Sequence, residues 1–225
     1  TGTPPVAKRP GDGGYSRWAG KSWPDKWSRE DPDGGAKPSF LGGNNPLPQA
    51  YWGEESGLNC LDEVVSQVWR EGYGHHITRL MVLSNLATLL EISPRELTDW
   101  FWVAYGDAYD WVVEPNVLGM GTYAVGDLMT TKPYTSGAAY INKMGDFCQG
   151  CLFDPKKNCP ITNLYWSFLD RHQESLKNNP RLRMIMATLR KRNKSLRQYD
   201  QKVFQRLSKT LKDGAEITPE NLPKK

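Results

Sequence analysis

The chain has 225 residues, a formal net charge of +4 and a sequence pI near 8.8. That length suits one substantial domain or two small ones, and no apolar run approaches the roughly 18 residues that a membrane span needs. Four cysteines are too few for a disulfide scaffold and no secretory signal is present, which points to cytosol or, in a eukaryote, plastid or nucleus, and away from secretion.

From Thr1 to Ala50, 17 residues are Gly or Pro and aliphatic side chains are few. Such a segment buries too little surface to offset its ordering entropy. Residues 1–45 therefore read as a disordered or loosely packed arm, which carries Trp18, Trp23 and Trp27. Helical patterning begins near Leu58. "CLDEVVSQVWREGY" places Leu61, Val64, Val65, Val68 and Trp69 on one stripe. "HHITRLMVLSNLATLLEI" is more continuously apolar, as expected of a helix buried on most sides. Ser93-Pro94-Arg95-Glu96 is a helix start, with Ser as N-cap, Pro in the first turn and Glu completing a capping box. Residues 112–140, rich in Gly, Pro, Thr and Tyr, read as a long ordered loop. Thr162 can cap the next helix, and two more helical runs follow over about 180–193 and 195–212. No internal repeat and no strand alternation are present. The reading is an all-α domain over residues 46–212, followed by a flexible tail over 213–225.

Three of the four cysteines stand in "MGDFCQGCLFDPKKNCPI". Gly150 permits a turn that brings Cys148 and Cys151 to one point, and Pro160 makes the chain turn away after Cys159. Cys60 lies far upstream. Four thiolates suit a four-iron–four-sulfur cluster or tetrahedral zinc about equally. A redox pair would leave Cys60 and Cys159 unexplained, and buried unligated cysteine is the plain alternative.

Longer strings carry more. "GHHITRLMV", "WFWVAYGDAYDWVVEPNVLGMGTYAVGDLMTTKPYTSGAAYINKM" and "CPITNLYWSFLDRH" resemble the C-terminal catalytic half of the iron–sulfur bacterial cryptochromes and photolyases, the prokaryotic (6-4) photolyases. The resemblance runs from about Pro46 to Arg192. It implies the family's C-terminal helical fold, bound FAD, and a 4Fe-4S cluster on Cys60, Cys148, Cys151 and Cys159. Two parts of the family pattern are missing: the N-terminal α/β antenna domain and the first part of the helical half. The polypeptide, which begins with Thr, thus reads as a fragment, a truncated product or half of a split protein. No antenna chromophore is expected on it, and a separate N-terminal half is an expected partner.

The same resemblance assigns roles. His76 faces the flavin and lesion pocket with His75 beside it, and an imidazole there can protonate a lesion as an electron arrives. Arg79 and Asp107 form a buried pair beside the flavin ring. The family often carries Glu two residues before Pro-Asn, near flavin N5. Val113 stands there in this chain, with Glu114 displaced by one. Glu114 and Asn116 are kept as flavin neighbours, and Met120, Tyr134 and Tyr140 match pocket positions. Trp100 and Trp52 belong to the relay that reduces photoexcited flavin, and Phe101 stands where relatives can have Tyr.

Lys177 to Lys212 contains twelve Lys or Arg and one acid, Asp200. A run of that kind is more often a solvated helix face, but its density suggests phosphate contacts, with Arg190, Lys191 and Arg192 as the DNA-binding candidates. The function implied is light-driven repair of (6-4) photoproducts in UV-damaged DNA by electron transfer from reduced flavin. The alternatives are a blue-light photoreceptor without repair, and a cluster-held nucleic-acid-binding helical module without flavin, similar to the primase large subunit.

Overall fold

The computed structural model describes residues 38–224; most of the expected arm, including Trp18, Trp23 and Trp27, lies outside the described residues. After a 3-10 turn at Gln49–Trp52 come α1 (Asn59–Glu71) and α2, in which His76–Thr78, Arg79–Ser84 and Asn85–Leu89 run on as one helix. α3 spans Pro94–Ala104. α4 joins Asp110–Val113 to Glu114–Gly121, α5 is Ala138–Met144 and α6 is Pro160–Arg171. The short α7 (Gln173–Leu176), α8 (Arg183–Lys191) and α9 (Lys194–Lys212) complete the order. Among the described residues there is no strand, only an isolated bridge between Asn45 and Ile92. The all-α expectation holds.

The stripe on α1 does what its spacing requires: Leu61, Val64, Val65 and Val68 are all buried. Each contributes about 1.5–3 kcal/mol of hydrophobic stabilisation when taken fully out of water. They meet α2, whose residues from Leu80 to Leu90 are buried without a break. The fully buried rings Tyr51, Trp100, Phe101, Phe153 and Phe168 fill the centre.

Three local readings need correction. Residues 112–121 are not loop; they are the greater part of α4. Pro115 has no N–H and its ring would strike the carbonyl one turn back, so the helix widens into a π-turn there instead of ending. α6 starts at Pro160 with Cys159 as its N-cap, which puts Thr162 inside the helix. At α3 the capping box is only half formed. Ser93 Oγ accepts from the Glu96 amide at 3.4 Å, but the Glu96 carboxylate accepts from Leu47 N–H at 2.7 Å.

Both chain ends of the described region lie on the domain. Phe40 donates its N–H to Ala124 O and packs edge-on against Tyr123. Residues 213–224, expected as a tail, run back over the fold, and the fully buried Ile217 donates its N–H to Ser56 O at 2.8 Å.

Candidate active site and cysteine cavity

Two π-helical segments meet face to face: Arg79–Ser84 in α2 and Glu114–Gly121 in α4. A π-turn displaces side chains from the ordinary helical register, and such turns recur at functional sites. Ser84 Oγ donates to Arg79 O at 2.9 Å, five residues back, which fits the wider turn. Gly121 allows the close approach, since a Cβ there would stand 2.8 Å from Ser84 Oγ. Beside this contact lies a cavity of about 300 Å³. That is the small end of ligand-sized pockets, roughly 300–1,000 Å³, and suits one ring system rather than a whole dinucleotide.

The cavity brings together His76, Arg79, Asp107, Asn116 and Met120, with walls from Leu80, Phe101, Val113 and Val117. Arg79 is fixed on several sides. Its Nε donates to Gly74 O at 2.8 Å and its Nη2 to Asp107 Oδ2 at 2.9 Å. Its guanidinium lies 4.1 Å from the Tyr105 ring centroid and 5.2 Å from that of Tyr73. The expected buried ion pair is in fact at the rim, with the Asp107 side chain 47% exposed. Tyr105 is the residue that sequence reading missed. Its ring is buried in the cavity wall and its hydroxyl has no hydrogen-bond partner among the described residues. A buried, unpaired hydroxyl is costly unless a ligand meets it. Asn116 Nδ2 donates to Val112 O at 2.7 Å, which orients its amide.

Other expected neighbours stand elsewhere. His75 is exposed and caps α2, its Nδ1 accepting from Ile77 N–H at 3.1 Å. Glu114 is buried and turned to Arg95, whose Nη1 and Nη2 donate to its two carboxylate oxygens at 3.1 and 2.8 Å. The displacement by one residue is the cause: on a helix it rotates the carboxylate about a quarter turn from the wall that Val113 occupies. Tyr134 and Tyr140 do not line the cavity, and Tyr140 is exposed.

All four cysteines are free, and all four line one cavity of about 10 Å³ closed by Leu58, Ile141, Phe147 and Phe153. Gly150 takes φ +78° at the turn between Cys148 and Cys151, where a side chain would be strained. Asn59, beside Cys60, donates its side-chain amide to Phe147 O at 2.8 Å, tying α1 to the late loop. Burial, with a smaller push from the neighbouring cysteines, drives the Cys60 thiol well up and that of Cys159 up to about 12. Backbone amides oppose this: Leu61 for Cys60, Ile161 for Cys159. Phe153 N–H also donates to Cys151 Sγ at 3.5 Å. Among the described residues, no group of three or more His, Cys, Asp or Glu is arranged to hold a single metal ion. The thiols surround a shared space without forming a mononuclear site.

No family model matches the chain. Over 164 residues it is 40% identical to a (6-4) photolyase of Agrobacterium fabrum, a match covering 71% of this chain and 32% of that protein. The chain spans about a third of that relative's length. An uncharacterized protein of Acanthamoeba polyphaga mimivirus is 28% identical over 127 residues, which is its whole length and 56% of this chain.

Trp100, in the core, touches two cavity residues edge-on, Phe101 at 5.2 Å and Tyr105 at 6.0 Å between ring centroids. On its other side Trp69 lies 6.4 Å away, and Trp52 lies 5.8 Å beyond Trp69. Trp52 and Trp69 are 43% and 41% exposed, so the row of rings reaches solvent. Trp69 links the two expected relay residues. Its place at the edge of the α1 stripe was visible in sequence, but not its neighbours.

Arg192 is not a free cation. Its Nε and Nη2 donate to the buried Asp200 at 2.6 and 2.9 Å, and its guanidinium lies 4.9 Å from the Trp166 ring centroid. Arg190 and Lys191 are exposed. No described helix is long and apolar enough to cross a membrane.

Proposed function

We propose that this chain is the FAD- and cluster-holding part of a light-driven enzyme that repairs (6-4) pyrimidine photoproducts in DNA. The observation that carries the reading is the convergence of His76, Arg79, Asp107, Asn116 and Met120 on one cavity, with the unpaired hydroxyl of Tyr105 in its wall. Similarity to the Agrobacterium fabrum (6-4) photolyase supports the substrate class. With its ring system in the cavity, reduced FAD would supply the redox chemistry, giving an electron to the lesion when it absorbs light.

The chain's own residues have separable tasks. Arg79, clamped by Gly74, Asp107 and Tyr105, offers a fixed positive charge to the bound ring system. Tyr105 Oη and the unengaged side of the Asn116 amide are the groups free to hydrogen-bond it. His76, at the open edge, holds a proton where it can be delivered to the lesion. Trp100, Trp69 and Trp52 lead from the cavity wall to solvent and would carry an electron inward to reduce the cofactor.

Cys60, Cys148, Cys151 and Cys159 are proposed to hold a four-iron–four-sulfur cluster. Its demand differs from that of a single ion, because each thiolate takes a separate iron corner. Backbone amides already face three of the sulfurs, those of Cys60, Cys151 and Cys159. A space of about 10 Å³ is smaller than the cluster, so loading requires the turn at Gln149 and Gly150, both exposed, to move outward.

The test is the purified chain under blue light with an oligonucleotide carrying one (6-4) photoproduct, in parallel with its absorption spectrum. Structured flavin bands and restored pyrimidines are expected. Flavin without restoration would point to photoreception, and the absence of both would overturn the reading.

A further inference from the structure

The basic run from Lys177 to Lys212 is sorted by the fold. Arg192 is held by Asp200, Arg197 Nη1 donates to Asp170 at 3.0 Å, and Lys177 pairs with Glu174 at 2.8 Å. The other nine cations are exposed and have no acidic partner among the described residues. The acid in the run, Asp200, is buried.

On α9 the sorting is geometric. Val203, Phe204, Leu207 and Leu211 are buried, and Ser167 of α6 donates to Gln201. At about 100° per residue, Lys194, Lys202, Arg206, Lys209 and Lys212 fall within an arc of roughly 120° on the opposite side. The intervening positions of that arc, Gln198 and Gln205, are polar and exposed. The result is a cationic ridge about 27 Å long at 1.5 Å per residue. The Arg192–Asp200 pair ties it to the end of α8, where Arg190 and Lys191 extend it. Like charges at i and i+4 destabilise a helix by a few tenths of a kcal/mol each, so the ridge carries a standing cost that an anionic partner would relieve.

We propose that the outer face of α9, with Arg190 and Lys191, binds the phosphate backbone of duplex DNA without reading its sequence or its damage. It contributes no residue to the cavity, so this surface is separate from the proposed active site and does not depend on that assignment. Duplex DNA is favoured for two reasons. It carries one charge per roughly 1.7 Å of axis, so a ridge of this length finds phosphates in any register. The α9 ridge has no exposed apolar residue to insert into a membrane and no exposed aromatic ring to stack on unpaired bases.

The experiment measures binding of the full chain, in the dark, to an undamaged 25-base-pair duplex across a salt series. The variant is Lys202→Gln/Arg206→Gln/Lys209→Gln, at exposed positions where Gln keeps helix propensity. The control is Lys143→Gln/Lys156→Gln/Lys157→Gln, the same change of charge on exposed lysines off the ridge. The slope of log affinity against log salt should fall by about 0.9 per lost contact, about 2–3 in all, for the ridge variant only. Affinities for damaged and undamaged duplex should fall by the same factor. An unchanged slope, an equal fall in the control, or loss of damage preference alone would overturn the proposal. So would salt-sensitive binding to anionic vesicles with none to the duplex.

Discussion

Trp69 and Trp100 donate their indole N–H groups to the same carbonyl, that of Tyr51, at 3.0 and 2.8 Å. Tyr51 is itself fixed, its hydroxyl donating to Leu83 O at 2.8 Å. One backbone oxygen thus locks two of the three rings of the row, and the N–H of the buried Trp100 is satisfied. Trp69→Phe removes the middle redox-active ring while keeping most of the packing. It should slow photoreduction of bound flavin several-fold with an external donor present, and Trp100→Phe should slow it more. Stopped illumination with absorbance detection checks this; equal rates for wild type and Trp69→Phe would remove Trp69 from the route.

Glu114 is assigned to the scaffold. Arg95 is almost completely buried between Glu114 and Asp99, and its Nε donates to Asp99 at 2.8 Å. Removing one member of a buried ionic set costs about 3–5 kcal/mol because a charge is left behind. With Asp99 still present, Glu114→Ala should lie near the lower end of that range. Chemical denaturation measures it. A stable variant that loses flavin would return Glu114 to the cofactor.

What the sequence disclosed, and what it hid, follow from the range of the interactions. The α1 stripe and the run from His75 to Ile92 were legible because helical burial repeats locally every three to four residues. α4 was hidden because Pro115 and two glycines, Gly119 and Gly121, look like loop chemistry, and only packing against α2 makes a π-turn worthwhile. The partners of Arg192 and Glu114 were hidden for a related reason. A charged side chain announces its charge, not whether an opposite charge eight or nineteen residues away will meet it. Tyr105 was read as part of a motif and not as a wall, since its unpaired hydroxyl exists only in three dimensions.

Glu91 predicts a pH dependence. It sits at φ +56° and accepts from Arg171 Nε at 2.7 Å, with His172 Nε2 at 3.1 Å. Partial burial raises its carboxyl pKa, but His172 and Arg171 together outweigh that, and the net shift is downward from the ordinary 4.5. A carboxylate with a depressed folded-state pKa contributes stability that is present above the unfolded value and lost as pH falls through the folded one. The contribution should therefore fade from about pH 4.5 downward. Glu91→Gln should be less stable at pH 7 and should show a flatter acid limb than wild type below that point. Parallel acid limbs would show that the interaction contributes nothing to pH dependence.

The cluster assignment predicts a shared fate for four residues that the sequence separates by nearly a hundred positions. Cys60→Ser should lose iron and acid-labile sulfide as completely as Cys151→Ser, because metal binding supplies folding free energy to both ends of the domain. Thermal stability should fall together with the iron content. Anaerobically prepared wild-type protein holding stoichiometric zinc and no iron would rule the cluster out.

His76 and His75 adjoin in sequence but differ in surroundings, so they should differ in consequence. His75 is engaged as a helix cap, and replacing a cap costs about 0.5–2 kcal/mol of stability. His76 opens onto the cavity with Arg79 one turn on. If it delivers a proton to the lesion, His76→Ala should keep bound flavin and normal photoreduction yet lose about 10²–10⁴-fold in repair rate. His75→Ala should chiefly lower stability. Single-turnover repair of a defined (6-4) oligonucleotide, with flavin content measured on the same samples, separates the two. Near wild-type repair by His76→Ala would show that the imidazole only borders the cavity, and loss of flavin would show that it supports the wall.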